Sequence, residues 1–129
     1  MSDIKTIGVL TSGGDAPGMN AAIRAVVRTG IYYGIKMLGL RKSYNGLIAG
    51  DISEMTARNV SDIIHRGGTI LQTARCKAFT TEEGMQKAMS ISRAFGMDAL
   101  VVIGGYGSYK GARDFSKFGM KVMGLPGTI

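Results

Sequence analysis

Thr6-Ile7-Gly8-Val9-Leu10, then Thr11-Ser12-Gly13-Gly14-Asp15-Ala16-Pro17-Gly18, then Met19-Asn20-Ala21-Ala22-Ile23-Arg24, is the stretch that decides the architecture. The first five residues are a short apolar run rich in Ile and Val and predict a buried strand. The next eight are a turn cluster. From Met19 to about Tyr33 the apolar residues recur at helical spacing, with Ala22, Val26, Thr29 and Tyr33 on one side and Ile23 and Val27 beside them. Pro17 suits the first helical turn, where a missing N–H costs nothing, and Gly34 suits the stop. A strand, a glycine turn and a helix N-terminus in that order form an anion site: backbone N–H groups point outward and the helix dipole adds partial positive charge.

The same grammar continues along the chain. Lys36 to Leu40 predicts a second strand, and 41–58 reads mostly as loop with at most a brief turn of structure. Val60 to His65 predicts a short helix started by Asn59 or Ser61. Arg66-Gly67-Gly68-Thr69 breaks it, and 70–79 reads as irregular. Thr81-Glu82-Glu83 opens a helix to about Phe95, its acids placed where the dipole favours them, and Gly96 ends it. Ala99 to Ile103 is the clearest strand; Gly104-Gly105-Tyr106-Gly107 turns into a helix capped by Ser108 and running to about Lys117. Lys121 to Leu125 is a last strand, leading into Pro126-Gly127-Thr128-Ile129. Apolar strands alternating with helices predict an α/β fold, a parallel Rossmann-like sheet with helices on both faces. No helix follows the last strand to cover it, so the fold is expected to be incomplete at the C-terminus. Glycine turns close three strands, at 11–18, 104–108 and 126–128, and ligands of such sheets sit at those ends.

Composition bounds the function. Glycine accounts for 20 of 129 residues, about double the usual ~7%, and the glycines gather at the ends of apolar runs, where backbone must bend or approach a ligand. Sixteen Lys and Arg against nine Asp and Glu leave a net charge of +7. The basic residues are dispersed, with no basic arm, zinc-ligand spacing or aromatic RNA-binding motif. That pattern fits a generally positive surface or small anionic ligands, and excludes nucleic acid as the expected partner. No run reaches the roughly 18 apolar residues that span a bilayer, the first ten residues lack a secretory layout, and Cys76 has no second cysteine to pair with. A cytoplasmic protein with no membrane partner is expected. His65 is the only histidine and reads as structural.

Neither common phosphate cradle is present. Gly13 and Gly18 have the P-loop spacing, but Met19 and Asn20 follow where Lys and Ser or Thr belong; Gly105-Tyr106-Gly107-Ser108-Tyr109 leads to Lys110, not to a third glycine. A dinucleotide-binding oxidoreductase would also want an acid closing the second strand, where Leu40-Arg41 stands.

Ile7 to Arg24 closely resembles the N-terminus of the 6-phosphofructokinase family. So do Arg66-Gly67-Gly68-Thr69, Thr73-Ala74-Arg75-Cys76, Gly104-Gly105-Tyr106-Gly107-Ser108 and Gly124-Leu125-Pro126-Gly127-Thr128-Ile129. The resemblance covers essentially the whole chain, in order and spacing, as the N-terminal ATP-binding part (1–129) of a phosphofructokinase-like fold. It implies a glycolytic transferase that moves the γ-phosphoryl of ATP to the 1-hydroxyl of fructose 6-phosphate with Mg²⁺, in a homotetramer. It implies that Gly14, Tyr44, Arg75, Cys76, Gly105, Tyr106, Gly107 and Ser108 line the nucleotide site. Arg75 would stabilise charge on the transferring group, and Thr128 would open the sugar-phosphate and catalytic loop. Arg24 and Arg28, with Ala25, Val26 and Val27 between them, resemble the site for ADP or another phosphorylated effector. The two arginines also suit a plain solvated helix face. Glycine at 107 and 127, where the pyrophosphate-using branch carries Asp and Lys, favours ATP by leaving room for an adenylyl group.

Two departures accompany the match. The family turn reads Gly-Gly-Asp-Gly and its Asp helps hold Mg²⁺; Tyr106 stands there, and a phenol, neutral near pH 7, cannot replace a carboxylate around a hard cation. No metal ligand is therefore expected at that position. The family motif also continues past Pro-Gly-Thr-Ile into an Asp that takes the sugar hydroxyl's proton. The 129 residues alone are accordingly expected to be inactive. The alternative is a non-catalytic nucleotide-binding or regulatory subunit.

Overall fold

The computed structural model describes residues 4–13, 18–63, 68–74 and 76–126, with backbone alone at 106–108. Five strands form one sheet: β1 (Thr6–Ser12), β2 (Lys36–Leu40), β3 (Ile52–Met55), β4 (Ala99–Gly104) and β5 (Lys121–Pro126), in the spatial order β3-β2-β1-β4-β5. The helices are α1 (Met19–Tyr32), α2 (Tyr44–Ala49), α3 (Glu82–Ala94) and α4 (Tyr106–Ser116), with a 3₁₀ turn at Lys77–Thr80.

β1, β4 and β2 are buried on both faces, and their alternate residues feed two cores. On one face Val9, Met37, Val101 and Ile103 pack under Met19, Ile23 and Val27 of α1. On the other, Leu10, Leu38, Leu100 and Val102 meet Leu47 of α2, Met85, Ala88 and Met89 of α3, and Ala112 and Phe115 of α4. Each fully buried Leu or Ile contributes about 1.5–3 kcal/mol. The α/β sheet with helices on both faces is as the sequence predicts.

The sheet is not wholly parallel. β1 pairs parallel with β2 and β4, and β4 with β5, but β3 runs antiparallel to β2 with Leu40 opposite Ile52. The segment 41–51 is too short for a full crossover. It returns through α2, six residues long, to an edge strand whose Ser53 and Glu54 are exposed. Both elements lie within the stretch expected to be loop. Conversely, 57–62 forms turns, where a helix over Val60–His65 was expected. Asn59 does not serve as the expected cap: its Oδ1 turns back and accepts from the Thr56 backbone N–H at 2.7 Å and from the Thr56 hydroxyl at 3.0 Å, so it closes a local turn in place of starting a helix. His65 lies outside the described residues.

Helix boundaries follow cap chemistry. Thr81 Oγ1 accepts from Gly84 N–H at 3.0 Å, with Glu82 and Glu83 in the first turn of α3, and Gly96 leaves the helix at φ +69°. α4 begins at Tyr106, not at the expected Ser108, because extended Gly105 (φ −93°, ψ −172°) already occupies the N-cap. Among the described residues no helix is long and apolar enough to cross a membrane.

Two contacts fix opposite ends of the layers. Gly84 lets α3 pass against the 3₁₀ turn, since a Cβ there would strike the Ala78 carbonyl oxygen. Asp98, just before β4, accepts from the backbone N–H groups of Lys5 (2.8 Å) and Thr6 (3.0 Å), joining the starts of β1 and β4. Those N–H groups, Lys5 first, hold its carboxyl below the usual carboxylate range.

Gly84→Ala is expected to cost about 1–3 kcal/mol in urea unfolding of the intact protein, because the collision is with backbone; an unchanged midpoint would contradict this packing. Asp98 has a depressed folded pKa, so its contribution is present above the unfolded value of about 3.9 and lost as pH falls through the folded one. Wild type should therefore exceed Asp98→Ala in stability at pH 6–7, with the gap closing below about pH 4. A gap independent of pH would show that the carboxylate charge is not what matters.

Candidate functional site

The sheet order makes β1 and β4 neighbours, yet β1 leads through α1 to β2 on one side and β4 through α4 to β5 on the other. Beyond their C-terminal ends the chain diverges, and a crevice opens at this switch point. A cleft of about 960 Å³ occupies it, a size suited to a small-molecule ligand. Ser12 and Gly13 border it from β1 and Gly105 from β4. Gly13 has φ +84°, a left-handed turn that glycine adopts without strain. The N-caps of α1 and α4 are Gly18 and Gly105, residues with no side chain of their own to cap the helix. A glycine N-cap brings no side chain of its own to the first N–H groups of the helix, as suits an anion site.

A polar lock brings the second wall into place. Asn20, in α1, donates from Nδ2 to the Gly68 carbonyl (2.6 Å) and accepts at Oδ1 from Ile70 N–H (2.8 Å). The Thr11 and Thr69 hydroxyls lie 3.0 Å apart, and the Thr11 hydroxyl donates to the Gln72 carbonyl at 3.1 Å. Lys42 N–H donates to the Leu71 carbonyl at 2.8 Å. These bonds pin 68–72 to β1, α1 and the turn before α2, so that Thr73, Ala74 and Cys76 reach the cleft.

Tyr44 and Phe79 form its aromatic wall, stacked at 4.0 Å between centroids and 11° between planes. Phe79 also tilts onto Phe115 at 5.2 Å, which fixes the wall to the core. Tyr44 is 7% exposed, and burial pushes its phenol well above the ordinary tyrosine value, so it stays neutral. Exposed Lys77 and Lys110 add positive charge at the rim. One end of the cleft is therefore glycine and hydroxyl, the other aromatic and apolar.

Of the residues implicated by resemblance, Tyr44, Cys76 and Gly105 meet in this cleft. Tyr106, Gly107 and Ser108 form the first turn of α4, directly after Gly105. Gly14, Arg75 and Thr128 lie outside the described residues. Arg24 and Arg28 sit one turn apart on α1; Arg28 is exposed, and the buried Nε of half-buried Arg24 has no hydrogen-bond partner. Val27 is fully buried in the α1 core, so its side chain is closed to any ligand. Ser43, Phe79, Lys77 and Lys110 were not anticipated. Lys110 carried a readable signal, four residues after Tyr106 and thus above the start of its helix.

Among the described residues lining the cleft, donors for Mg²⁺ are few. Among the described residues no three His, Cys, Asp or Glu side chains cluster. Asp114 is the one carboxylate among the described residues lining the cleft, and it stands 3.9 Å from Lys117 Nζ and 4.0 Å from Arg113 Nε.

Comparison with known proteins agrees with this geometry. The phosphofructokinase family model matches residues 6–129. The chain is 64% identical over 126 residues to an ATP-dependent 6-phosphofructokinase of Clostridium botulinum (strain Hall) and 63% identical to that of Clostridium novyi. Each alignment covers 98% of this chain, which spans 40% of the relative's length. Among solved structures, Pichia pastoris phosphofructokinase in the T-state superposes with a TM-score of 0.92 at 41% identity, over 99% of this chain and 16% of that one. The Saccharomyces cerevisiae phosphofructokinase gives 0.90 at 36%, over 96% and 20%. A pyrophosphate-dependent phosphofructokinase from Marinobacter aquaeolei shares the fold, at 0.74 and 19% identity. By sequence along almost its whole length and by the arrangement of its strands, the chain belongs to the phosphofructokinase family.

Proposed function

We propose that this chain is the N-terminal nucleotide-binding part of an ATP-dependent 6-phosphofructokinase, which phosphorylates the 1-hydroxyl of fructose 6-phosphate. The observation that carries the reading is the cleft's polarity: glycine-led helix starts at one end and the Tyr44–Phe79 stack at the other. A nucleoside triphosphate has that same division between anionic chain and aromatic base. In this reading the turn containing Gly14, the Gly105-to-Ser108 turn and Arg75 hold the phosphates, while Tyr44 and Cys76 line the nucleoside end. Transfer breaks the bond from the γ-phosphorus to the β–γ bridging oxygen and forms one to the sugar hydroxyl, whose proton leaves to a base. Arg75 offsets the charge spread over the moving phosphoryl. Thr128 begins the loop that receives the sugar.

Mg²⁺ in this family neutralises phosphate charge; here the described donors and Tyr106 do not fit it. Arg24 and Arg28 form a second site for ADP or another phosphorylated effector, supported by the unpartnered Nε of Arg24. Assembly as a homo-oligomer, cytoplasmic location and glycolytic use accompany this reading. Tyr106 favours a second one, a nucleotide-binding subunit without turnover, because it removes the family carboxylate.

Calorimetry on the intact protein should show ATP binding and no NAD binding. Tyr106→Asp should raise fructose 6-phosphate-dependent turnover on the order of tenfold at limiting Mg²⁺, the scale of one regained charged contact. ATP binding with turnover at background in both forms would favour the non-catalytic subunit, and failure to bind ATP would remove both readings.

A further inference from the structure

Ser43 is an anomaly on two counts. The Asn45 N–H donates to the Lys42 carbonyl at 3.2 Å, closing a turn over Ser43 and Tyr44. Ser43, at φ +61° and ψ −137°, stands at the first corner of that turn. Those angles are those of a type II′ turn, where glycine is the usual occupant because a side chain is strained. The side chain that incurs this strain is 1% exposed, and its Oγ has no hydrogen-bond partner. A buried hydroxyl without a partner is itself costly. Ser43 also lines the switch-point cleft, next in sequence to Tyr44 of the aromatic wall.

The strain is not scattered. Among the described residues, the non-glycine residues with positive φ are Lys42, Ser43 and Gln72. All three lie in the two segments joined by the Lys42–Leu71 hydrogen bond beside the cleft. Backbone strain held in place by surrounding structure concentrates at ligand sites.

We infer that the Ser43 hydroxyl is a ligand-binding group, completing its hydrogen bonding with the nucleoside portion of a nucleotide seated against Tyr44 and Phe79. The inference rests on the nucleotide reading above and adds a specificity-determining residue to it. The hydroxyl can donate to a ring nitrogen or ribose oxygen and accept from a ribose hydroxyl. The phosphates, at the glycine end, are beyond its role.

The inference requires that removing the side chain help the free protein and harm the complex. In the intact protein, Ser43→Gly should raise the ligand-free melting temperature by about 2–4 °C through relief of strain. It should weaken ATP binding roughly three- to tenfold, the loss of one hydrogen bond, and leave inorganic tripolyphosphate binding unchanged. Ser43→Ala, which keeps the Cβ and its strain, should weaken ATP binding equally with a smaller gain in melting temperature. Unchanged ATP affinity in both variants would overturn the inference while leaving the nucleotide reading intact. Equal weakening of ATP and tripolyphosphate would overturn the assignment to the nucleoside. Wild-type protein that binds no ATP would overturn the nucleotide reading and this inference with it.

Discussion

The parallel pairing of β1 with β4 governs the rest of the structure. Six residue pairs, from Ile7 opposite Ala99 to Ser12 opposite Gly104, bring together two segments more than 90 residues apart. Asp98 holds the ladder's lower end through the Lys5 and Thr6 N–H groups. At the upper end both strands finish at the same level, and their continuations leave in opposite directions. The crevice between Gly13 and Gly105 is the consequence. A slip of one residue would exchange Val9 and Leu10 between the two cores and put one glycine-led helix start on the wrong side of the other.

Around this crevice, core and site share the same side chains. Phe79 belongs to the core against Phe115 and to the cleft wall against Tyr44. Thr11 is a strand residue and an anchor for the loop carrying Gln72. Such sharing fixes the cleft without a dedicated scaffold. It also explains why strained residues can persist there: Lys42 and Gln72 sit in backbone already held by hydrogen bonds from neighbouring elements.

Much of this was legible in the chain before folding. Ala99 to Ile103 announced a buried strand by its unbroken branched apolar run, and Thr81-Glu82-Glu83 announced α3 by cap and charge. Gly13 and Gly105 were marked by their place after strands. What misled was short and local. Val60 and Ile63 have helical spacing, but Asn59 takes the Thr56 N–H and hydroxyl for itself. α2 carries Asn45 and Gly46, weak helix formers, and stands because Tyr44 and Leu47 are buried. β3 has no alternation strong enough to announce it; β2 supplies its partner.

The site divides along the same line. Spacing along the chain determines which face of a strand or helix a residue joins, because those periods are set by local backbone geometry. Apolar runs, caps and glycine positions therefore already implied an α/β sheet and anion-binding turns at its strand ends. Which turns meet, and which side chains lie between them, depends on contacts spanning tens of residues. The Thr11–Thr69 and Asn20–Gly68 bonds carry Cys76 and Phe79 to the cleft, and β2 turns Ser43 and Tyr44 to face them. The conflict at Ser43, a side chain in a glycine conformation with a buried hydroxyl and no partner, exists only once those contacts close. No periodicity encodes it, because burial and hydrogen-bond satisfaction are properties of the folded neighbourhood.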